Sequence, residues 1–111
     1  MSARNDTAIR IIDVGPRDGL QNEPRPIPTQ DKIALITALA QCGLREIEAT
    51  AFVSPRWVPQ MADHDQVMRH APRRPDLILS ALVPNAVGAQ AAIAAGAQAL
   101  AVFASASESF A

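Results

Sequence analysis

An arginine and an aspartate stand side by side just after an apolar segment of the sequence. Residues 9–14 are rich in β-branched side chains, and Gly15 and Pro16 interrupt them directly before Arg17 and Asp18. An aspartate carboxylate is a hard oxygen ligand that suits Mg²⁺ or Mn²⁺. A guanidinium can hold a carbonyl group and stabilise an oxyanion. The spacing alone favours an ordinary surface ion pair, worth ~0–1 kcal/mol, and the metal or substrate site stays open beside it.

Glu48 is a second candidate, in the next segment that predicts a strand. Side chains alternate between the two faces of a strand, so Glu46, Glu48 and Thr50 should share one face and Ile47 should lie on the other. If Ile47 faces a layer of helices, Glu48 points to the opposite side, towards the arginine–aspartate pair. There it could orient the arginine or serve the site by hydrogen bonding. A glutamate that simply faces solvent is the open alternative.

Other reactive side chains carry weaker signals. His64 lies between Asp63 and Asp65, but neighbouring helix residues point in different directions, so a helix cap on a solvated face is favoured over a metal site. Cys42 is the only cysteine of the sequence, which excludes an internal disulfide and a cysteine-based zinc site. Its place beside a helix-ending glycine predicts a packing role. The segment G-P-R-D-G has neither the Lys–Ser/Thr of a P-loop nor the glycine spacing of a dinucleotide site.

Alternating strands and helices must position these residues. We predict strands at residues 9–14, 44–49, 77–83 and 99–104, and a proline-rich loop without helix at residues 15–28. One helix is predicted from Thr29 as its N-cap to Gly43 just past its end, another at 63–70, and a third at 86–95 behind an Asn85 cap. The order βαβαβαβ, in units of roughly 30 residues, predicts parallel strands with helical crossovers. It suits half of a (β/α)₈ barrel and an open doubly wound sheet equally well.

Composition narrows the classes of partner. The chain has 111 residues with 10 basic and 11 acidic side chains, so its net charge of −1 predicts neither nucleic acid nor an anionic membrane as a partner. Arg69, Arg73 and Arg74 form a local basic cluster that is interpreted as a solvated helix end and loop. Residues 1–8 are predicted to be disordered and too short for a signal or transit peptide, which favours a cytoplasmic location. Residues 9–111 are predicted to form one domain.

Two motifs resemble one enzyme family. V-G-P-R-D-G-L-Q-N-E, at residues 14–23, resembles the first-strand motif of the 3-hydroxy-3-methylglutaryl-CoA (HMG-CoA) lyases. I-E-A-T-A-F-V-S-P-R-W-V-P-Q-M-A-D-H, at residues 47–64, resembles their second-strand segment. The resemblance implies a TIM barrel, of which this chain would form the N-terminal half, and a divalent metal, Mg²⁺ or Mn²⁺. Isopropylmalate and homocitrate synthases share the R-D-G-x-Q core, so a related acetyl-CoA-dependent condensing acyltransferase is the alternative.

The resemblance also implies roles for individual residues. Asp18 resembles the family's metal-binding aspartate, and Arg17 resembles the catalytic arginine that contacts the substrate's thioester carbonyl. Gln21 and Glu48 match residues that support or line the substrate site. The implied reaction is retro-Claisen cleavage of HMG-CoA, an acyl-CoA, to acetyl-CoA and acetoacetate, as in leucine degradation and ketone body formation.

The resemblance is incomplete in these 111 residues. The family's two histidines in an H-x-H motif, its later asparagine and its glycine-rich loop with a catalytic cysteine have no counterpart here. We therefore predict that the isolated chain lacks lyase activity. A non-catalytic half-barrel that pairs with itself, giving a homo-oligomer, or with another chain is a further alternative, because unpaired strand edges favour association.

Overall fold

Three parallel strands form the sheet of this protein, whose computed structural model describes residues 9–103. The strands are β1 (Glu46–Ala51), β2 (Ile78–Val83) and β3 (Ala99–Val102), adjacent in that order. The helices are α1 (Thr29–Gln41), α2 (His64–His70) and α3 (Ala86–Ala95). A π-helical turn spans Gly15–Gly19, and a 3₁₀ turn spans Pro59–Met61. The alternation of elements and the parallel pairing confirm the predicted α/β class.

The first predicted strand is reduced to a single bridge. Within residues 9–14 only Asp13 pairs with β1: its N–H donates to the Glu46 carbonyl (3.1 Å), and its carbonyl accepts from the Glu48 N–H (2.8 Å). Ile9 and Ile11 are 85% and 67% exposed, so their side chains find little to pack against among residues 9–103. The prediction of a strand over residues 9–14 was therefore wrong. β-branched side chains favour a strand only where other residues pack against them.

The prediction of a helix-free loop at residues 15–28 was also wrong at its start. The chain makes the π-helical turn at Gly15–Gly19 immediately after the bridge. Pro16 is the second residue of this turn, where a missing N–H removes no intrahelical hydrogen bond. This turn contains Arg17 and Asp18, so it fixes the backbone positions of both residues.

Helix α1 begins differently from the prediction. Pro28 occupies the N-cap position, and the Thr29 hydroxyl donates to the Asp63 carboxylate (2.6 Å) and does not cap the helix. Two other predicted helix ends, at Gly43 and Asn85, are confirmed. Gly43 follows the helix with φ of 96°, and the Asn85 side chain accepts from the Gly88 N–H (2.9 Å) at the start of α3.

The hydrophobic core lies between the helices and one face of the sheet. Its buried members include Ile36, Ile47, Val67, Met68, Leu79, Ala81 and Ala92. Ile47 pairs with Leu79 in this core, and the next pair along, Glu48 with Ser80, therefore lies on the opposite face. The register then shifts between Glu48 and Thr50, so Thr50 pairs with the core residue Ala81. The prediction that Thr50 shares the face of Glu48 was wrong, because a bulge reverses the alternation.

Two arginines of the basic cluster, Arg73 and Arg74, donate hydrogen bonds to carbonyls at the ends of helices. Arg73 donates to the Met68 carbonyl in α2 and to the Gly96 carbonyl after α3 (2.8 Å). Arg74 donates to the Ala40 carbonyl in the last turn of α1 (3.0 Å). These guanidinium groups satisfy carbonyls that a helix leaves without an internal partner. Among residues 9–103 no helix is both long and apolar enough to span a bilayer.

Candidate active site

The Arg17 side chain lies against the polar face of β1. Its Nε donates to Oε2 of Glu48 at 2.7 Å, and the two side chains are only 17% and 7% exposed. The glutamate points away from the helices because Ile47 beside it packs into the core. The sheet therefore supplies a buried carboxylate that fixes one edge of the guanidinium. The expected approach of Glu48 to Arg17 is present in the structure.

Asp18 and Gln21 flank the other edge of the same guanidinium. Arg17 Nη1 lies 3.3 Å from Oδ1 of Asp18 and 3.5 Å from Oε1 of Gln21. The turn fixes this spacing, since the N–H groups of Arg17 and Asp18 both donate to the Val14 carbonyl. The Asp18 side chain is 57% exposed, whereas its arginine neighbour is largely covered. The other three candidate residues therefore converge on the Arg17 guanidinium, with the aspartate on the open side.

A second ion pair joins the same segment to the same face of β1. Arg10 donates through Nε and Nη2 to the two oxygens of Glu46, at 3.0 and 2.6 Å. The hydrogen bond and the charge of Glu46 raise the pKa of the Arg10 guanidinium above its usual value. The two buried carboxylates of this face, on Glu46 and Glu48, are thus each paired with an arginine of residues 9–23. Sequence reasoning missed the Arg10–Glu46 pair, although the shared face of the two glutamates was a usable signal.

Comparison with known proteins identifies the family. The family model described as HMGL-like matches residues 8–111, nearly the whole chain. The chain belongs to the HMGL-like family. Among curated relatives, the zebrafish (Danio rerio) cytoplasmic 3-hydroxy-3-methylglutaryl-CoA lyase is 57% identical over 92% of this chain, which covers 30% of that protein. Other curated relatives are named mitochondrial, so the predicted cytoplasmic location stays a prediction.

Solved structures of HMG-CoA lyases share the fold. The enzyme from Brucella melitensis matches with a TM-score of 0.86 and 55% identity, over 92% of this chain and 36% of that one. An enzyme from Acinetobacter baumannii in complex with coenzyme A and 3-methylmalate has a TM-score of 0.86 and 42% identity, over 90% and 33% of the two chains. This protein therefore has the fold of part of an HMG-CoA lyase TIM barrel, and it spans about a third of its relatives' length.

Asp18 is the one exposed residue among the four candidates, so its carboxylate is accessible to a ligand. Its exposed carboxylate is an oxygen donor of the kind that Mg²⁺ and Mn²⁺ prefer. Within residues 9–103, no cluster of three or more histidine, cysteine, aspartate or glutamate side chains could enclose an ion. The described part of the chain thus offers a single carboxylate at the open side of the arginine.

The remaining candidates lie elsewhere. His64 stacks on Phe52 with ring centroids 4.4 Å apart, and its buried Nδ1 has no partner among the described residues. Burial lowers the pKa of His64, while the charges of Asp65 and Asp63 act in the opposite direction. The predicted cap on a solvated face was wrong, because the Asp63 side chain makes no cap bond and His64 is partly buried. Cys42 is exposed, so its predicted packing role was wrong as well.

Proposed function

We propose that this chain supplies the substrate-carbonyl side of an HMG-CoA lyase active site. The reaction is the cleavage of 3-hydroxy-3-methylglutaryl-CoA to acetyl-CoA and acetoacetate. The observation that carries the proposal is the Arg17–Glu48 contact beside the exposed Asp18. Membership of the HMGL-like family and the coenzyme A in the A. baumannii relative support an acyl-CoA as the substrate.

Arg17 is the proposed catalytic residue. Glu48 engages Nε and Gln21 lies near Nη1, so the guanidinium plane is fixed before substrate arrives. Within the described residues no hydrogen bond uses Nη2 of Arg17, which can therefore donate to the thioester carbonyl. As the carbon–carbon bond breaks, the acetyl-CoA enolate gathers negative charge on that oxygen. A fixed guanidinium stabilises this charge without reorganising, which is the main source of electrostatic catalysis.

Asp18 is the proposed metal ligand of this chain, with Gln21 and Glu48 in supporting roles. A divalent ion, Mg²⁺ or Mn²⁺, would supply a Lewis acid for the substrate's hydroxyl and carboxylate oxygens. One exposed carboxylate holds such an ion weakly, because several oxygen ligands normally share its charge. The remaining ligands must therefore come from parts of a barrel outside the described residues.

The test compares this chain with a completed barrel. Acetoacetate release from HMG-CoA is measured in the presence of Mg²⁺. The two samples are the chain alone and the chain fused to the remaining two thirds of the B. melitensis enzyme. We expect no turnover from the chain alone and turnover from the fusion. In the fusion, Arg17→Gln should lower kcat by about 10²–10³-fold. Arg69→Gln, which removes an exposed guanidinium on α2, is the control and should leave kcat unchanged.

Three results would count against the proposal. Acetoacetate release from the chain alone would show that the ligand assignment is wrong. A fusion that cleaves HMG-CoA equally well with Arg17→Gln would remove the arginine from the mechanism. Condensation of acetyl-CoA with a 2-oxo acid by the fusion, without HMG-CoA cleavage, would favour the acyltransferase alternative.

A further inference from the structure

A buried lysine joins α1 to the loop that follows β1. Lys32, in the first turn of α1, is only 3% exposed. Its ammonium group donates to Oδ1 of Asp63 at 2.6 Å and to the backbone carbonyl of Gln60. The other oxygen of Asp63 accepts from the Thr29 hydroxyl at 2.6 Å. The lysine charge is therefore paired and hydrogen-bonded, as a buried charge must be.

This group is connected to the turn that carries the candidate site. The Gln60 side chain donates from Nε2 to the Glu23 carbonyl at 2.9 Å. The Glu23 N–H donates to the Leu20 carbonyl (3.2 Å), and the Asn22 side chain donates to the Asp18 carbonyl (3.0 Å). Hydrogen bonds thus connect Lys32 through Gln60 to Glu23, and the backbone leads from there to Asn22, whose side chain bonds the Asp18 carbonyl.

We propose that Lys32 is a positioning residue for the candidate active site, acting through Gln60. Lys32 fixes the Gln60 backbone, and Gln60 in turn holds Glu23. Glu23 ends the segment of residues 15–23, called the site turn from here on, which keeps Arg17 and Asp18 in place. The bridge at Asp13 and the Arg10–Glu46 pair hold the beginning of the segment. Lys32 holds its far end. We call the contacts of Lys32 with Gln60 and Asp63, together with the Gln60–Glu23 bond, the clamp. Its role in catalysis rests on the proposed lyase function, whereas its effect on the site turn is testable without catalysis.

The test measures amide hydrogen exchange by NMR on the whole chain. In Lys32→Met, which keeps the apolar stem and removes the charge, the amides of Asp18, Asn22 and Glu23 should exchange roughly tenfold faster. Reference amides in the sheet and α3, such as Ile78 and Ala89, should change less than about twofold. Arg69→Met, which breaks an exposed pair within α2, is the matched control and should leave the site turn unchanged.

Two further variants separate positioning from general stability. Gln60→Ala removes the bond to the Glu23 carbonyl and leaves Lys32 paired, so it should accelerate the same three amides without affecting Ile78. Lys32→Met combined with Asp63→Leu replaces the ion pair by apolar groups, which often restores stability. It should restore the midpoint of urea unfolding but not the protection of Asn22 and Glu23.

Uniform acceleration of all amides in Lys32→Met, or recovery of the site turn in the double variant, would show a purely structural lysine and overturn the proposal. An unchanged site turn in Gln60→Ala would do the same. Failure of the fused enzyme to cleave HMG-CoA would instead count against the proposed function. It would not affect the exchange result.

Discussion

The Arg17–Glu48 ion pair should contribute measurably to the free energy of unfolding. At the observed 2.7 Å, Coulomb attraction is about 6 kcal/mol for an effective dielectric constant of 20. Desolvation of the two ions offsets most of this gain. Removing one partner of a fully buried pair costs about 3–5 kcal/mol, because the other charge is left without compensation. Since Arg17 keeps some solvent contact and has Asp18 beside it, we expect Glu48→Gln to cost about 2 kcal/mol.

A double-mutant cycle with Arg17→Met and Glu48→Gln isolates the pair from other effects of each substitution. Urea unfolding is followed by far-ultraviolet circular dichroism. With a urea dependence of about 1 kcal/mol per molar, Glu48→Gln should lower the midpoint by about 2 M. The coupling energy from the cycle should be about 1.5 kcal/mol, smaller than the single cost because part of that cost is the unpaired arginine.

The exposed Arg69–Asp65 pair on α2 is the matched reference. Its N–O distance of 2.8 Å is nearly the same, but its side chains are 49% and 46% exposed. A cycle at this pair should give about 0.3–0.5 kcal/mol. A coupling between Arg17 and Glu48 no larger than this reference would refute the argument that burial of the glutamate fixes the arginine.

Two further predictions concern Gly88 and His64. A Cβ on Gly88 would lie 2.7 Å from the Phe52 carbonyl oxygen, so Gly88→Ala should destabilise the protein by about 1–2 kcal/mol in urea unfolding despite a better helix propensity. Gly19→Ala, with open space around it, is the control and should be neutral or stabilising. Because burial lowers the pKa of His64, the unfolded state takes up the proton first. The free energy of unfolding should therefore fall as the pH drops through about 6.5, and His64→Gln should lose this component. Equal pH dependence of the two proteins, or no cost at Gly88, would contradict these predictions.

The Arg17–Glu48 contact was predictable from sequence because it depends on one local rule. Alternation along β1 places Glu48 opposite the core residue Ile47, and the polar motif after residues 9–14 comes to the same face. Thr50 shows the limit of the rule. A bulge is a property of pairing with the neighbouring strand, which alternation within one strand does not contain.

The clamp at Lys32 was not predictable from its position. A lysine in the first turn of a helix is normally solvated, and nothing in its neighbours marks it as buried. Its partners, Gln60 and Asp63, lie about one βα unit further along the chain and meet it only after α1 and α2 have packed. The strand at residues 9–14 failed for a related reason, since its apolar side chains require a layer that the described residues do not provide.

The two charged groups of the site differ in how far this chain determines them. Arg17 is largely covered and is fixed by a buried carboxylate, so its orientation is a property of residues within this chain. Asp18 is more than half exposed and has one long contact to Arg17, so its orientation depends on what binds it. If the proposed function is right, recognition of the thioester carbonyl is organised before the barrel is complete, whereas metal affinity arises only when further ligands surround Asp18. Substitutions at Glu48 should therefore lower catalysis through the arginine without lowering the affinity for the metal. Substitutions at Asp18 should lower the metal affinity without disturbing the arginine.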